Sequence, residues 1–317
     1  AQAVSFQRKR LYPVRTQLLD PRVKQILKLM LPRLWGSAIY QTSVFVDTIL
    51  ASFYWIVGNG GQSALYYASR LFQLPLAVFG VSYAQVALPT LSRHYANQDY
   101  ASFKKVLVFS LNQVLFTTLP ASVGLAVLSD LIVKILFQRG AFTEYSTLVT
   151  SQALLFYAVG LVSCGFIKIL VGAFYAMQDT RSPVKTAFVA LAVNIMLNAV
   201  LMWHLKIGGL ALATSIAATL NAILLYVLLI RKIGIPDMGP ILKSIYCHAL
   251  GSVVMGFFVG FVGRSWILFV ERGGNLLFSA GMLVLVILLG LVLYYIVSLL
   301  LGSEEARSIR KKIPNLH

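Results

Sequence analysis

The chain has 317 residues, 58% hydrophobic and only 12% charged, with a mean hydropathy of +0.80, whereas a soluble domain carries about 25% charged residues. These figures exclude a water-soluble globule and a disordered chain alike, and a disulfide scaffold is excluded because the only cysteines, Cys164 and Cys247, sit inside apolar runs as small packing residues. The net charge of +17 would suggest a nucleic-acid partner in a soluble protein, but the basic residues fall mainly between long apolar stretches, where they mark the sides of a membrane.

Residues 1–28 open the chain as a basic linker. Within them Asp20-Pro21 reads as a helix N-cap followed by proline at the first helical position. Val23, Ile26, Leu27 and Met30 follow at helical spacing, with Arg22, Lys24 and Lys28 toward headgroups, which predicts an amphipathic lead-in helix on the membrane surface. A membrane-crossing helix needs about 20 largely apolar residues. That ruler gives eight spans, near 29–53, 63–91, 106–129, 149–177, 184–205, 208–230, 243–263 and 275–301. The expected fold is all-α, a polytopic membrane helix bundle. Span 208–230 is diluted by Gly208, Gly209 and a run of small residues, a composition common where membrane helices pack closely. Ser303, Glu304 and Glu305 then open a short helix in a basic tail, 302–317, that would lie near anionic lipid with Arg307, Arg310, Lys311 and Lys312.

When the segments between spans are assigned alternately to two sides, 19 of the 27 lysines and arginines fall on one side. Five, Lys134, Arg139, Lys206, Arg264 and Arg272, fall on the other, and Arg33, Arg70 and Lys168 lie within spans. The positive-inside bias then places both ends of the chain in the cytoplasm and leaves no charge for a nucleic acid to explain. The sequence opens on Ala1, with no apolar run before residue 29, and reads as a fragment of a longer polypeptide.

Ionisable groups inside a span each cost roughly 2.5–3.5 kcal/mol at a helix centre, so each calls for a partner or a function. Arg33, beside Pro32 near the start of its span, is placed to snorkel to the interface. Arg70 lies deeper, and Ser63, Tyr66, Tyr67 and Gln73 share its helical face at spacings of three, four and seven. Pro75 follows and predicts a kink. The planar fork of arginine suits phosphate, so this polar stripe reads either as an anion site or as one half of an ion pair with Asp47. Lys168, in the middle of the fourth span, should face the same interior, either toward a ligand or toward Asp47. A second set consists of oxygens: Asp47, the i, i+4 pair Asn194 and Asn198, and Thr214. It suits a hard cation such as sodium, or else a hydrogen-bond network joining helices. Catalysis has little support, since His94, His204, His248 and His317 lie near span ends or in the tail, without metal-site spacing, and no P-loop is present.

Four blocks in order, YYASRLFQLPLAVFGVSYAQVALPTLSRHYA at 66–96, LFQRGAFT at 136–143, VGAFYAMQDTRSPVKTA at 171–187 and GGLALATSIAATLNAILLY at 208–226, resemble the MurJ (MviN) family of lipid II flippases. That family lies in the multidrug/oligosaccharidyl-lipid/polysaccharide exporter superfamily. The resemblance implies two six-helix lobes followed by two extra helices, of which this chain would supply the second lobe (29–230) and the extra pair (243–301), the first lobe being missing. It implies no enzyme. The implied activity is outward transport of lipid II, the polyprenyl diphosphate-linked muropeptide, across the bacterial cytoplasmic (inner) membrane, in contact with membrane lipids and with no nucleic acid. Arg70 matches a family arginine that lines the cavity and meets the diphosphate, with Tyr66, Gln73 and Lys168 as further candidates for substrate contact. Gln73 stands where relatives carry an acid. Asp47, Asn194, Asn198 and Thr214 resemble a sodium site of some members, with Asn198 replacing a carboxylate. No other cofactor is expected.

Three rivals are weighed against that reading. Another exporter of the superfamily, a polysaccharide-precursor flippase or a cation-coupled drug antiporter, would share the architecture and bind a different headgroup. An integral-membrane polyprenyl-phosphate enzyme would need acidic metal-binding loops, whereas the loop acids here are single apart from Glu304-Glu305. A fragment in isolation would serve as a non-transporting scaffold, because one lobe encloses no two-sided cavity. The extra pair carries no intramembrane charge in this reading and is expected to form a lipid-facing groove.

Overall fold

The computed structural model describes residues 38, 39, 41–271 and 276–307. The expected lead-in helix, Arg33 and the tail beyond Arg307 lie outside the described residues. Regular structure among the described residues is entirely helical, in the order α1 (41–51), a single turn α2 (Tyr54–Val57), α3 (Gly61–Pro75), a π-helical stretch (Leu76–Val81), α4 (Ser82–Ala96), α5 (Tyr100–Val127), α6 (Ser129–Phe137), α7 (Glu144–Val159), α8 (Leu161–Ala176), α9 (Arg181–Ile233), α10 (Gly239–Glu271) and α11 (Leu276–Leu300). Five of these runs are long and apolar enough to cross a membrane singly, and the bent pair α7–α8 is a sixth.

Local chemistry sets the boundaries. The Asp99 carboxylate caps α5 by accepting from the Ser102 N–H at 3.0 Å, and the Thr143 hydroxyl caps α7 by accepting from the Ser146 N–H at 3.3 Å. In α3 the buried residues Gly61, Ala64, Leu65, Ala68 and Leu71 recur at helical spacing, so one face packs inward and the other is left open. The kink expected at Pro75 takes another form. The helix continues from Gly61 to Ala96, and the missing proline N–H is followed by the wider π-helical turns of Leu76–Val81.

Two of the expected spans, 184–205 and 208–230, form the two arms of α9. Its 53 residues would extend about 80 Å if straight, yet the Asn194 amide donates to the Thr214 hydroxyl at 3.3 Å across 20 residues. The chain therefore doubles back, and it does so at Lys206, whose φ of 52° and ψ of −128° are non-helical. Gly209 makes the turn possible, since a Cβ there would sit 2.3 Å from the Leu201 carbonyl oxygen. The fourth expected span is broken by 45° between α7 and α8. The carbonyls near the break are supplied with donors from other helices: Phe156 O accepts from Ser215 Oγ at 2.7 Å and Ala158 O from Ser122 Oγ at 2.6 Å. In a bilayer core no water would do this.

Helix α5 is the centre of the bundle, packed by α4, α7, α8 and α10 and buried around most of its circumference. One core gathers Leu91, Phe103, Phe174 and Leu225, and a second gathers Leu131, Leu154, Ile207 and Leu210. Three of the basic segments meet at one end. Lys104 Nζ donates to Ile235 O at 3.4 Å, and Lys232 pairs with Asp179, which also accepts from the Arg181 and Ser182 N–H groups at 3.0 Å. Burial raises the Asp179 carboxyl, but the hydrogen bonds from Lys232 and Ser182 outweigh it and hold the group down at about 2. The tail also differs from expectation. Ser303 does cap the helical turn 304–307, its Oγ accepting from the Ala306 N–H at 3.3 Å, but Ser303 and Glu305 are buried rather than laid on a lipid surface. Fully buried His248 of α10 lies 3.3 Å from Glu305 of the tail.

Candidate functional site

The oxygen set expected from the sequence comes together. Asp47 on α1 is buried between the two arms of α9. Its Oδ1 accepts from Asn198 Nδ2 at 2.6 Å and its Oδ2 from the Thr214 hydroxyl at 3.2 Å. Asn198 Nδ2 also donates to Asn194 Oδ1 at 3.2 Å. The hairpin of α9 is what makes this possible: it folds Thr214 back beside Asn194, and α1 closes the third side. One member was missed. Ser43 Oγ donates to Asn194 Oδ1 at 3.3 Å, and its signal was legible, since Ser43 lies one turn before Asp47 on the same face.

Two features decide what this cluster can do. Asn198 Oδ1 is buried with no hydrogen-bond partner among the described residues, an arrangement costing about 1–3 kcal/mol. Meanwhile Asn198 Nδ2 faces two acceptors, so the positive end of an amide dipole stands where a cation would balance the carboxylate. Turning that amide over would point its orphaned oxygen into the same space, giving Asp47, Asn194, Asn198 and Thr214 as a set of hard oxygen ligands. The residues present fit a monovalent cation of the sodium class. As arranged, they also form a hydrogen-bonded network between helices.

The second candidate lies on the open face of α3. Arg70 is exposed, with Nη2 donating to the Tyr66 hydroxyl at 3.3 Å and the guanidinium 4.9 Å from the Tyr66 ring centroid. Gln62, Ser63, Tyr66, Arg70 and Gln73 are all exposed there. Tyr67 leaves the expected stripe and packs against Phe137 and Phe142. Arg70 forms no ion pair with Asp47, whose oxygens are taken by Asn198 and Thr214. Lys168 is exposed on α8 and has no ion pair among the described residues. Neither cation is thus neutralised by the one acid inside the spans.

Residues 3–271 match the family model for the lipid II flippase MurJ. The chain is 34% identical to a probable lipid II flippase MurJ of Rhizobium tropici over 293 residues, 92% of this chain and 54% of the relative. It is 40% identical to that of Vibrio cholerae over 207 residues, 65% of this chain and 39% of the relative. It therefore spans about half the length of the curated relatives it matches. The structure is similar to a lipid II flippase MurJ in an inward closed conformation, with TM-score 0.68, 28% identity, and coverage of 90% of this chain and 56% of that one. An outward-facing multidrug resistance MATE family transporter, at TM-score 0.59 and 16% identity over 87% of this chain and 63% of that one, shares the fold alone. On the family match and the Rhizobium relative, the chain belongs to the MurJ family of lipid II flippases.

Proposed function

We propose that the chain is the second lobe, 29–230, and the extra helix pair, 243–301, of a lipid II flippase in the cytoplasmic membrane, with its basic end on the cytoplasmic side. The observation that carries this reading is Arg70, a guanidinium exposed on the polar face of a membrane helix and paired with no acid among the described residues. An exposed polar stripe on a membrane helix needs an opposite wall. A similar first lobe, corresponding to the remaining length of the relatives, would supply it. The diphosphate then sits against Arg70, whose fork offers parallel hydrogen bonds to phosphate oxygens. Tyr66 fixes the guanidinium from one side, Gln73 extends the polar face by about one turn, and Lys168 adds charge. The polyprenyl tail stays in lipid while the two lobes rock about the headgroup.

The driving force follows from charge. An anionic headgroup moving outward against an inside-negative potential gains about 2.3 kcal/mol per charge per 100 mV. The orphaned Asn198 oxygen beside Asp47 supports a second element: a sodium ion held by Asp47, Asn194, Asn198 and Thr214. Bound there, the ion would favour whichever packing of α1 against α9 keeps the oxygens convergent. With a single carboxylate the affinity would be weak.

The test is translocation by a transporter whose second lobe is this chain, read as lipid II reaching the outer leaflet. Arg70→Ala should abolish it while membrane insertion is unchanged, and Arg70→Lys should restore only part, because a point charge lacks the fork. Normal translocation by Arg70→Ala would remove Arg70 from the mechanism.

A further inference from the structure

The buried apolar side chains of the lobe fall into two separate cores. One joins Leu71 of α3, Phe116 of α5, Tyr157 of α7 and Leu210 of α9. The other joins Leu91 of α4, Val114 of α5, Ile169 of α8 and Leu225 of α9. The packing of the helices follows the same division, with α3 lying on α7, and α4 on α8 and α5. Arg70 stands on the half built from α3 and α7, and Lys168 on the half built from α4 and α8.

Between the two cores the backbones come close. A Cβ on Gly80 would lie 3.3 Å from Gly165 Cα, and one on Gly160 2.9 Å from Ser215 Cα. At this level three helical paths lose their regular hydrogen bonding. α3 passes into α4 through Pro75 and the π-helical stretch, α7 meets α8 at the 45° break, and α5 carries Pro120. Contacts between the paths show that the levels coincide. The Phe72 and Tyr157 rings are 5.7 Å apart, Gly80 faces Gly165, and α5 sets Thr118 beside Gly165 and Ser122 against Ala158. The carbonyls left over take hydroxyl donors. Pro120 has no N–H to offer Phe116 O, which accepts from the Tyr294 hydroxyl at 2.8 Å instead. Phe156 O and Ala158 O accept from Ser215 and Ser122. A lone hydroxyl follows its acceptor through a change of angle that a helical ladder resists, so a bend here leaves no buried carbonyl orphaned.

We infer that this level is a hinge plane across the lobe, about which the half carrying Arg70 turns against the half carrying Lys168. The second arm of α9 crosses the plane without a break, presenting the small buried residues Ala213, Ser215 and Ala217, and is the spine the two halves share. The motion lies within one lobe and is distinct from the rocking of two lobes. It changes the spacing of the two exposed cations, so one setting grips an anion between them and the other releases it. That consequence rests on the proposed role of Arg70, whereas the hinge itself rests on the packing alone.

The experiment is pulsed electron resonance of the full chain in lipid, which reads distances between spin labels on pairs of cysteines introduced in a background lacking Cys164 and Cys247. Gln62 and Arg139 are exposed on the Arg70 half, and Asn97 and Arg181 on the Lys168 half. A turn of about 20°, acting over the roughly 24 Å of helix from the π-helical stretch to Gln62, moves that end by about 8 Å. Distances from Gln62 to Asn97 and to Arg181 should therefore spread over about 8 Å, while those from Gln62 to Arg139 and from Asn97 to Arg181 stay narrow. Pro75→Ala combined with Pro120→Ala returns two helical N–H donors and should reduce the spread across the plane by about half or more. Distances across the plane as narrow as those within each half would overturn the hinge, and so would a spread that the double variant leaves unchanged. If the double variant does not fold, the comparison of label pairs without it decides alone. None of these readings involves lipid II, so failure of the role given to Arg70 and failure of the hinge are told apart.

Discussion

The most consequential single position is Asn198. Its amide nitrogen is the only hydrogen-bond partner of Asp47 Oδ1 among the described residues, and it also bridges to Asn194. The amide thus stands in for a positive charge between two oxygens. Replacing it with aspartate removes that donor and sets a second carboxylate beside the first. Two such groups cannot both stay ionised in a buried site without a counter-ion. Asn198→Asp should therefore become dependent on sodium. Its thermal unfolding in choline buffer should fall well below that of the unaltered chain, and sodium at about 100 times the dissociation constant should restore about 2.7 kcal/mol. Potassium, being larger, should restore less. An unfolding curve for Asn198→Asp that is indifferent to sodium would show that the cluster is a helix-joining network and nothing more. Part of this was legible beforehand, because an intramembrane acid and an i, i+4 amide pair are unusual enough to stand out. The convergence itself depends on the turn at Lys206, which falls where the two expected spans 184–205 and 208–230 meet, but nothing in the local pattern fixes the angle between the two arms.

The bent pair α7–α8 shows what helix-length reasoning misses. A run of apolar residues over 149–177 reads as one straight span, and no proline marks the 45° break. The bend depends on Gly160, where a Cβ would come within 2.9 Å of Ser215 Cα, so the two helix backbones nearly touch. That contact brings Ser215 Oγ to the Phe156 carbonyl, and a neighbouring pair, Ser163 and Thr219, hydrogen-bonds across the same interface at 2.9 Å. Small residues and hydroxyls of this kind join membrane helices. Gly160→Ala should push α9 off the bend and cost about 1–3 kcal/mol in thermal unfolding. Ser215→Ala, which keeps the packing but orphans a carbonyl, should cost about 1 kcal/mol. If the two rank the other way, close approach is not what sets the bend. The His248–Glu305 pair was hidden for a related reason. A lone histidine near a span end reads as interfacial, and its acid lies 57 residues later, beyond another whole helix. Lys168 shows the limit of the same reasoning on the other side. A lysine in mid-span predicts either a ligand or a pair with Asp47; Asp47 is held by Asn198 and Thr214 instead, and Lys168 is exposed on α8, where a second wall would have to meet it.

At the scale of the whole molecule, the eight spans and the basic asymmetry already outlined a bundle with two unlike ends, and the structure gives those ends a physical basis. Lys104 reaches Ile235 O, and Lys232 reaches Asp179, so the segments near 97–105, 178–185 and 231–243 gather at one end. Tyr67, Phe137 and Phe142 pack together toward the other. Exposed aromatic residues occur near both ends, Tyr54 and Trp55 at one and Tyr100 and Tyr246 at the other, as expected of side chains that settle at membrane interfaces. Translocation resists moving lysine and arginine across the bilayer, so the side to which the sequence assigns 19 of them should face the cytoplasm and the side assigned five should face outward. Single cysteines test this directly. Asn97 and Arg139 are both exposed, in turns at opposite ends. In a background with Cys164 and Cys247 replaced by serine and alanine, Asn97→Cys should react with a membrane-impermeant maleimide only in inverted vesicles, and Arg139→Cys only in intact cells stripped of their outer layers. The reverse pattern would place Arg70 in a cavity loaded from the opposite leaflet. Outward flipping driven by the membrane potential would then be untenable, because an anionic headgroup would have to move toward the negative side.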